Sequence, residues 1–335
     1  MKYVVCEEPG RFSIKDKKFP KRGEGEVLLK IKRVGICGTD LHAYKGNQPF
    51  FTYPRILGHE IAAEVYEVDS TRKEFTKGDK VAIMPYINCG TCRACAKGKT
   101  NCCEKLHVFG IHTDGGMQEY VSLRTDLLLK ANELTEEEIS IIEPLAIGAH
   151  ALKRGDIKSD DFVVVMGCGP IGLGIIKQAK MTGAIVIAID LNLERLEFAK
   201  EIMKADHIIL MNEEVIPKLK QLTNNAMGDL VFDATGNKMA LEFGVKLLGH
   251  GGRYVLVGLS KGNLEFYHPE IHAKETTLLC SRNATMVDFQ EVMERISDFP
   301  TNAYISTSVP FDLMPNHFEA WTANTSNIIK ATITF

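Results

Sequence analysis

Five of the nine cysteines lie between Ile87 and Cys103, in the stretch INCGTCRACAKGKTNCC. Cys89, Cys92, Cys95 and Cys103 follow the spacing C-x2-C-x2-C-x7-C. A disulfide needs particular pairs at a set Cα separation. Four thiolates at short intervals in a Gly- and Lys-rich loop can instead close a tetrahedron around zinc. Arg93, Lys97, Lys99 and Lys105 favour the thiolate form. With four sulfur ligands and no open position, a lobe over about residues 88–104 is structural rather than catalytic. Cys102 competes with Cys103 for the fourth place, and spacing does not separate them.

A second set of metal-type residues lies in VGICGTDLH, YPRILGHE and IIEPLAIGAHA. These segments supply Cys37, Thr39, Asp40, His42, Arg55, His59, Glu60 and Glu143. A Cys, a His and a carboxylate from separated segments can hold a metal with one position left open for a substrate. Buried cysteines and hydrogen-bonded histidines are common without metal, so residue type alone leaves both readings standing.

VVVMGCGPIGLG places Gly167, Gly169 and Gly172 as G-x-G-x-x-G, with Pro170 and Ile171 between the last two. The motif follows a strand-like run and opens a helix-like one, and the next strand ends at Asp190. Gly167 permits a tight turn, Gly169 lets the backbone approach a pyrophosphate, and Gly172 allows close helix–strand packing. Asp190 would accept hydrogen bonds from the adenosine ribose and repel a 2′-phosphate, which favours NAD over NADP. Arg195 suits either the adenine side or a solvated helix face. Asp233, Thr235 and Gly236 in FDATG end a later strand on the edge where such sheets bind ligands, and Val257 of RYVLVGL joins them.

Two kinds of sequence hold these residues. Residues 1 to about 145 read as short strands and loops, including EVLLKIKRVGI, EIAAEVYEVD and DKVAIMPYI. From Asp160, strands such as FVVVMG and AIVIAID alternate with helices, among them IGLGIIKQAKMTG and KMALEFGVKLLG. That alternation predicts an α/β fold with a parallel, doubly wound sheet. After Cys280 a helix around FEAWTAN and a strand, IIKATITF, are expected to return and complete the first domain. The 335 residues are 45% hydrophobic with a formal net charge of −3. No basic excess points to nucleic acid or an anionic membrane, and no signal-like or membrane-spanning run is expected. The expectation is a soluble, cytoplasmic protein.

The motifs G-I-C-G-T-D-x-H, G-H-E, the four-cysteine lobe, E-P-L and the nucleotide fingerprint occur in an order that resembles the zinc-dependent medium-chain alcohol and polyol dehydrogenases. The resemblance spans essentially the whole chain and is strongest to the sorbitol dehydrogenase branch and its sugar-acid relatives. GNQPFFTYPRILGHE, GKTNCCEK and KETTLLCSRNAT resemble the bacterial L-galactonate or L-gulonate 5-dehydrogenases. It implies a GroES-like β-rich catalytic domain over 1–146 and 281–335 and a Rossmann domain over 147–280. It also implies two zincs per chain, NAD, a small-molecule substrate and a homodimer or homotetramer.

Carried onto this sequence, the resemblance makes Cys37 and His59 ligands of the catalytic metal. Glu143 stands as the third ligand, where alcohol dehydrogenases have a second cysteine, and neighbouring Glu60 can exchange with it. Zinc, iron(II) or manganese(II) suit such a set. Asp40 would orient the ligand histidine. Thr39 would accept the proton of an alcohol activated by the metal, and His42 would relay it to solvent. Arg55 and Arg282 would face the carboxylate of a sugar acid. Asn283 replaces an aromatic residue common in sorbitol dehydrogenases, which moves the expectation away from sorbitol itself. The expected reaction is NAD-dependent oxidation of a secondary alcohol of a sugar acid or polyol. Sorbitol or another polyol and L-threonine are the alternative substrates, and a zinc- and nucleotide-binding scaffold without turnover is the alternative class.

Overall fold

The computed structural model describes residues 1–47, 51–69, 73–323 and 328–335. Gln48, Pro49 and Phe50 of GNQPFFTYPRILGHE and Asn324 of FEAWTAN lie outside the described residues. The chain forms two compact units, residues 1–143 with 285–335, and residues 144–284.

The first unit is built on a seven-stranded sheet. Its central strand, Glu26–Gly35, pairs antiparallel with Glu60–Glu67, Tyr120–Arg124 and the C-terminal strand Lys330–Thr334. The β-branched and leucine-rich run of Glu26–Gly35 is buried at most positions, so its side chains pack on both faces as a central strand requires. Val27, Leu29, Ile31 and Val34 join Ile61, Val65, Val81 and Ile83 in one core, which Phe318 and Trp321 of the C-terminal helix Met314–Ala323 also enter. The C-terminal strand Lys330–Thr334 lies between Ile305–Pro310 and the central strand. A hairpin of Lys2–Glu8 and Arg11–Asp16, absent from the sequence reading, precedes the sheet. The register of the central strand sets Gly35 opposite Glu60, and a Cβ at Gly35 would lie 2.1 Å from the Glu60 carboxylate. Glycine is therefore required wherever Glu60 keeps this inward pose.

The second unit is a six-stranded parallel sheet in the order His207–Leu210, Ile185–Asp190, Phe162–Met166, Gly228–Asp233, Leu248–Leu256, Thr277–Cys280. Helices Pro170–Lys180, Leu193–Glu201, Val215–Leu222 and Lys238–Phe243 connect its strands. Val163, Val164 and Val165 are fully buried, as strands covered on both faces demand. One element departs from the sequence reading. KMALEFGVKLLG is helical only to Phe243, becomes a 3-10 turn over Gly244–Leu247, and is already strand at Leu248. Gly244 sits against Tyr254, where a Cβ would come 2.2 Å from the phenol oxygen, and that phenol donates to the Leu241 carbonyl at 2.8 Å. This contact ends the helix a turn before its apolar pattern does.

Candidate active site

The four cysteines meet as their spacing anticipates. The Sγ atoms of Cys89, Cys92, Cys95 and Cys103 all lie within 4.8 Å of one another. Cys92 is 3.5 Å from Cys95 and 4.0 Å from Cys103. Tetrahedral ligands about 2.3 Å from zinc stand about 3.8 Å apart, so these separations fit the ion. Backbone N–H groups of Cys89 and Lys105 point at the Cys103 sulfur, and that of Cys92 at the Cys89 sulfur. Such donors stabilise thiolates. Cys103 is buried in the cluster and Cys102 is exposed outside it, which decides between the two competitors.

The second cluster is built from strand ends. Cys37 follows the central strand and caps the helix Gly38–Tyr44, with Asp40 Oδ2 accepting its N–H at 2.8 Å. Glu60 opens the neighbouring strand and His59 immediately precedes it, after Gly58 at φ +93° turns the chain. Ligand atoms of Cys37, His59 and Glu60 lie within 4.8 Å of one another, and Glu143 is outside that group. Asp40 Oδ1 is 3.9 Å from His59 Nδ1 and accepts from the Gly58 N–H at 3.3 Å. His59 and Asp40 are 4% and 1% exposed. Burial pushes the Asp40 carboxyl up, offset in part by His59. Burial lowers His59, but the Cys37 sulfur and Asp40 outweigh it and hold the imidazole well above its usual range.

Three residues that the sequence reading missed complete this cluster. Lys330, at the start of the C-terminal strand, places Nζ 2.7 Å from both Glu60 oxygens and 3.1 Å from the Ile36 carbonyl. Lys330 and Glu60 are each 1% exposed. Removing one partner of such a pair costs about 3–5 kcal/mol, because the other charge is left buried alone. Tyr86 donates its phenol proton to Glu143 Oε1. Tyr304 is fully buried, and that burial, helped by the charges of Glu60, Cys37 and Glu143, raises its phenol well above the usual range. No local motif announces these residues, because each reaches the cluster through the tertiary fold: Lys330 and Tyr86 from strands, Tyr304 from the short helix Thr301–Tyr304.

Glu143 Oε2 and His59 Nδ1 are buried without a hydrogen-bond partner. Burial pushes Glu143 up to about 7, with His59 pulling the other way. A buried carboxylate oxygen without a donor asks for an ion, and a thiol, an imidazole and carboxylates are suitable donors for zinc. The residues present therefore fit a catalytic metal. Thr39 and His42 lie on one helix at i and i+3, which gives them a shared face. Thr39 is half-buried and His42 is exposed.

In the second unit the three glycines differ as the fingerprint expects. Gly167 has φ +93°. A Cβ at Gly172 would lie 1.7 Å from the Gly167 carbonyl oxygen. A Cβ at Gly169 would instead find only Arg195 Nη1, at 3.8 Å, so this backbone is approachable. Pro170 occupies the first turn of the helix Pro170–Lys180, and Ile171 follows it. Asp190, at its strand end, accepts from the N–H groups of Cys168 at 2.5 Å and Asn192 at 2.8 Å, which ties it to the glycine loop. These features fit a dinucleotide pyrophosphate and ribose. Thr235 is exposed, and its hydroxyl is bonded to Asp233 at 2.8 Å. Val257 N–H donates to the Asp233 carbonyl at 3.0 Å, so FDATG and Val257 form one strand-end turn.

The two candidate arginines differ. Arg55 lies 3.5 Å from Asp114 and donates to the Thr52 hydroxyl at 2.8 Å. Arg282 is exposed just past the strand Thr277–Cys280.

A four-sulfur lobe, a Cys/His/Glu cluster and a glycine-loop parallel sheet together define the class of metal- and dinucleotide-dependent oxidoreductases. Residues 23–133 match the alcohol dehydrogenase GroES-like domain, and residues 170–298 match the zinc-binding dehydrogenase family. L-Galactonate-5-dehydrogenase of Escherichia coli K12 is 40% identical, over 100% of this chain and 99% of that protein. Sorbitol dehydrogenase of Bacillus subtilis is 36% identical, over 78% of this chain and 76% of its own length. A solved structure described as a short chain alcohol dehydrogenase (rspB) from Escherichia coli CFT073, complexed with NADH, superposes with a TM-score of 0.93 at 30% identity, covering 100% of this chain and 99% of that one. The chain belongs to the zinc-dependent medium-chain alcohol and polyol dehydrogenases. No helix among the described residues is long and apolar enough to cross a membrane.

Proposed function

We propose that this chain oxidises a secondary alcohol of a hexonate or related polyol, with L-galactonate and L-gulonate as the leading candidates, and passes the hydride to NAD. The observation that carries this reading is the Cys37–His59–Glu60 cluster, with a buried, unpartnered carboxylate oxygen on Glu143, whose charge acts on His59. The similarity to L-galactonate-5-dehydrogenase along the full chain supports the substrate class.

Cys37, His59 and Glu143, with Glu60 in exchange distance, would hold the metal, and the glycine loop with Asp190 would hold NAD. When bound, the metal polarises the alcohol and lowers its pKa, and NAD takes up the hydride. Asp40, whose Oδ1 lies 3.9 Å from His59 Nδ1, would help to orient the ring. Thr39 Oγ1 takes the proton of the alcohol O–H, and the His42 imidazole passes it outward. The alcohol carbon would give up a hydride to the bound dinucleotide and become a ketone, and the hydroxyl proton would leave through Thr39 and His42. Arg55 and Arg282 would bind the substrate carboxylate.

A panel of hexonates, hexitols and L-threonine, followed by NADH absorbance, tests the reading. Hexonates are expected to give the highest kcat/KM; turnover of hexitols or L-threonine alone would contradict the assignment. Arg282→Ala should raise KM for hexonates by about tenfold or more, the worth of a charge-assisted hydrogen bond, and affect hexitols less. An equal effect on both would remove the carboxylate argument.

The reading includes a homodimer or homotetramer in the cytoplasm. The strand Thr277–Cys280 ends the parallel sheet with an open edge, and its Leu278 is 44% exposed. Open edges of this kind are commonly covered by another chain. Sedimentation equilibrium should give a multiple of 37.2 kDa, and a monomer would contradict this part.

A further inference from the structure

Two buried carboxylates compete for one place beside Cys37 and His59, and the hydrogen bonds around them are unequal. Glu60 has both oxygens 2.7 Å from Lys330 Nζ. With the Ile36 carbonyl at 3.1 Å, the ammonium has three acceptors for its three protons. Glu143 has one donor, Tyr86, on Oε1, and its Oε2 has none. By proximity alone Glu60 would be the ligand, since it groups with Cys37 and His59 within 4.8 Å. Its charge, however, is already matched. The carboxylate held in place with an oxygen to spare is Glu143.

We propose that Tyr86 and Lys330 are positioning residues that decide which carboxylate completes the metal site. Tyr86 fixes Glu143 Oε1 so that Oε2 remains for the cation. Lys330 keeps Glu60 close by and neutralised, as a reserve ligand. The inference rests on the metal site of the proposed function and adds the residues that select its third ligand. Tyr86 is itself anchored by the strand pair Tyr86–Ile87 and His107–Val108, which brackets the cysteine lobe. The zinc lobe would therefore brace the residue that aims Glu143.

The test uses the full chain loaded with zinc, as wild type, Tyr86→Phe, Lys330→Met, Lys330→Arg and the double variant Glu60→Gln/Lys330→Met. Zinc release to a chromophoric chelator is timed, and the visible spectrum is recorded after cobalt(II) replaces the more labile zinc. Tyr86→Phe should release that zinc about 10–100-fold faster, as outer partners of metal ligands generally do when removed. Lys330→Met should release it more slowly, with a changed cobalt spectrum, because Glu60 is freed to bind. Lys330→Arg should restore wild-type rate and spectrum. The double variant should also resemble wild type, since it frees no carboxylate while removing both charges. If Lys330→Met does not fold, the other three variants decide. Wild-type release from Tyr86→Phe would overturn the proposal. So would an unchanged cobalt spectrum in a folded Lys330→Met, or a double variant that departs from wild type. A wild-type chain that holds only the lobe zinc would instead overturn the metal-site reading on which the inference rests.

Discussion

His59→Ala is expected to hold one zinc per chain in place of two and to lose on the order of 10³-fold or more in kcat/KM, the several kcal/mol that a Lewis acid supplies to such a step. The imidazole is almost completely buried, and Asp40, Cys37 and Glu60 crowd around it. Its removal deletes a ligand from the cluster. The four-cysteine lobe is a separate cluster, so its zinc should remain. NADH binding, followed by nicotinamide fluorescence, should change by less than about twofold, because the glycine loop belongs to the other unit. A variant that keeps two zincs, or keeps its turnover, would contradict the assignment of His59.

Asp190→Ala is expected to raise KM for NAD by about 10–100-fold, the worth of hydrogen bonds to a charged group, and to move the NADP/NAD preference towards NADP. The carboxylate also ties down the Cys168 and Asn192 N–H groups. Loosening of the loop would therefore weaken both cofactors. The ratio of the two kcat/KM values isolates the charge, since only NADP carries the 2′-phosphate that Asp190 would repel. An unchanged ratio would show that Asp190 serves only the loop.

The lobe and the nucleotide loop were legible in the sequence because their geometry is local. C-x2-C-x2-C-x7-C brings four sulfurs together through short turns, and the three glycines answer to constraints within a few residues of themselves. Even there, Cys102 and Cys103 were equivalent until the fold buried one and exposed the other. Cys37, His59 and Glu143 were readable as residue types in a familiar order. Their arrangement was not, because it depends on the register that pairs Gly35 with Glu60 and on a strand arriving from the chain's end. Lys330 sits in IIKATITF, a sequence that says only "strand", and nothing local says that its ammonium is buried against Glu60. Tyr86 likewise reads as an ordinary strand tyrosine until the first turn of the helix Ile142–Gly155 brings Glu143 to its phenol. The helix expected over KMALEFGVKLLG failed for a similar reason: Gly244 packs against Tyr254, ten residues further along the chain, and that contact overrides the local apolar pattern.

The account rests on a metal held by Cys37 and His59, and anomalous diffraction at the zinc edge from crystals grown with NAD tests it most directly. The account predicts two peaks per chain. One lies among the four lobe cysteines, and the other about 2.3 Å from Cys37 Sγ and about 2.0–2.1 Å from a His59 ring nitrogen. A single peak in the lobe, with Cys37 and His59 bonded only to protein, would contradict it.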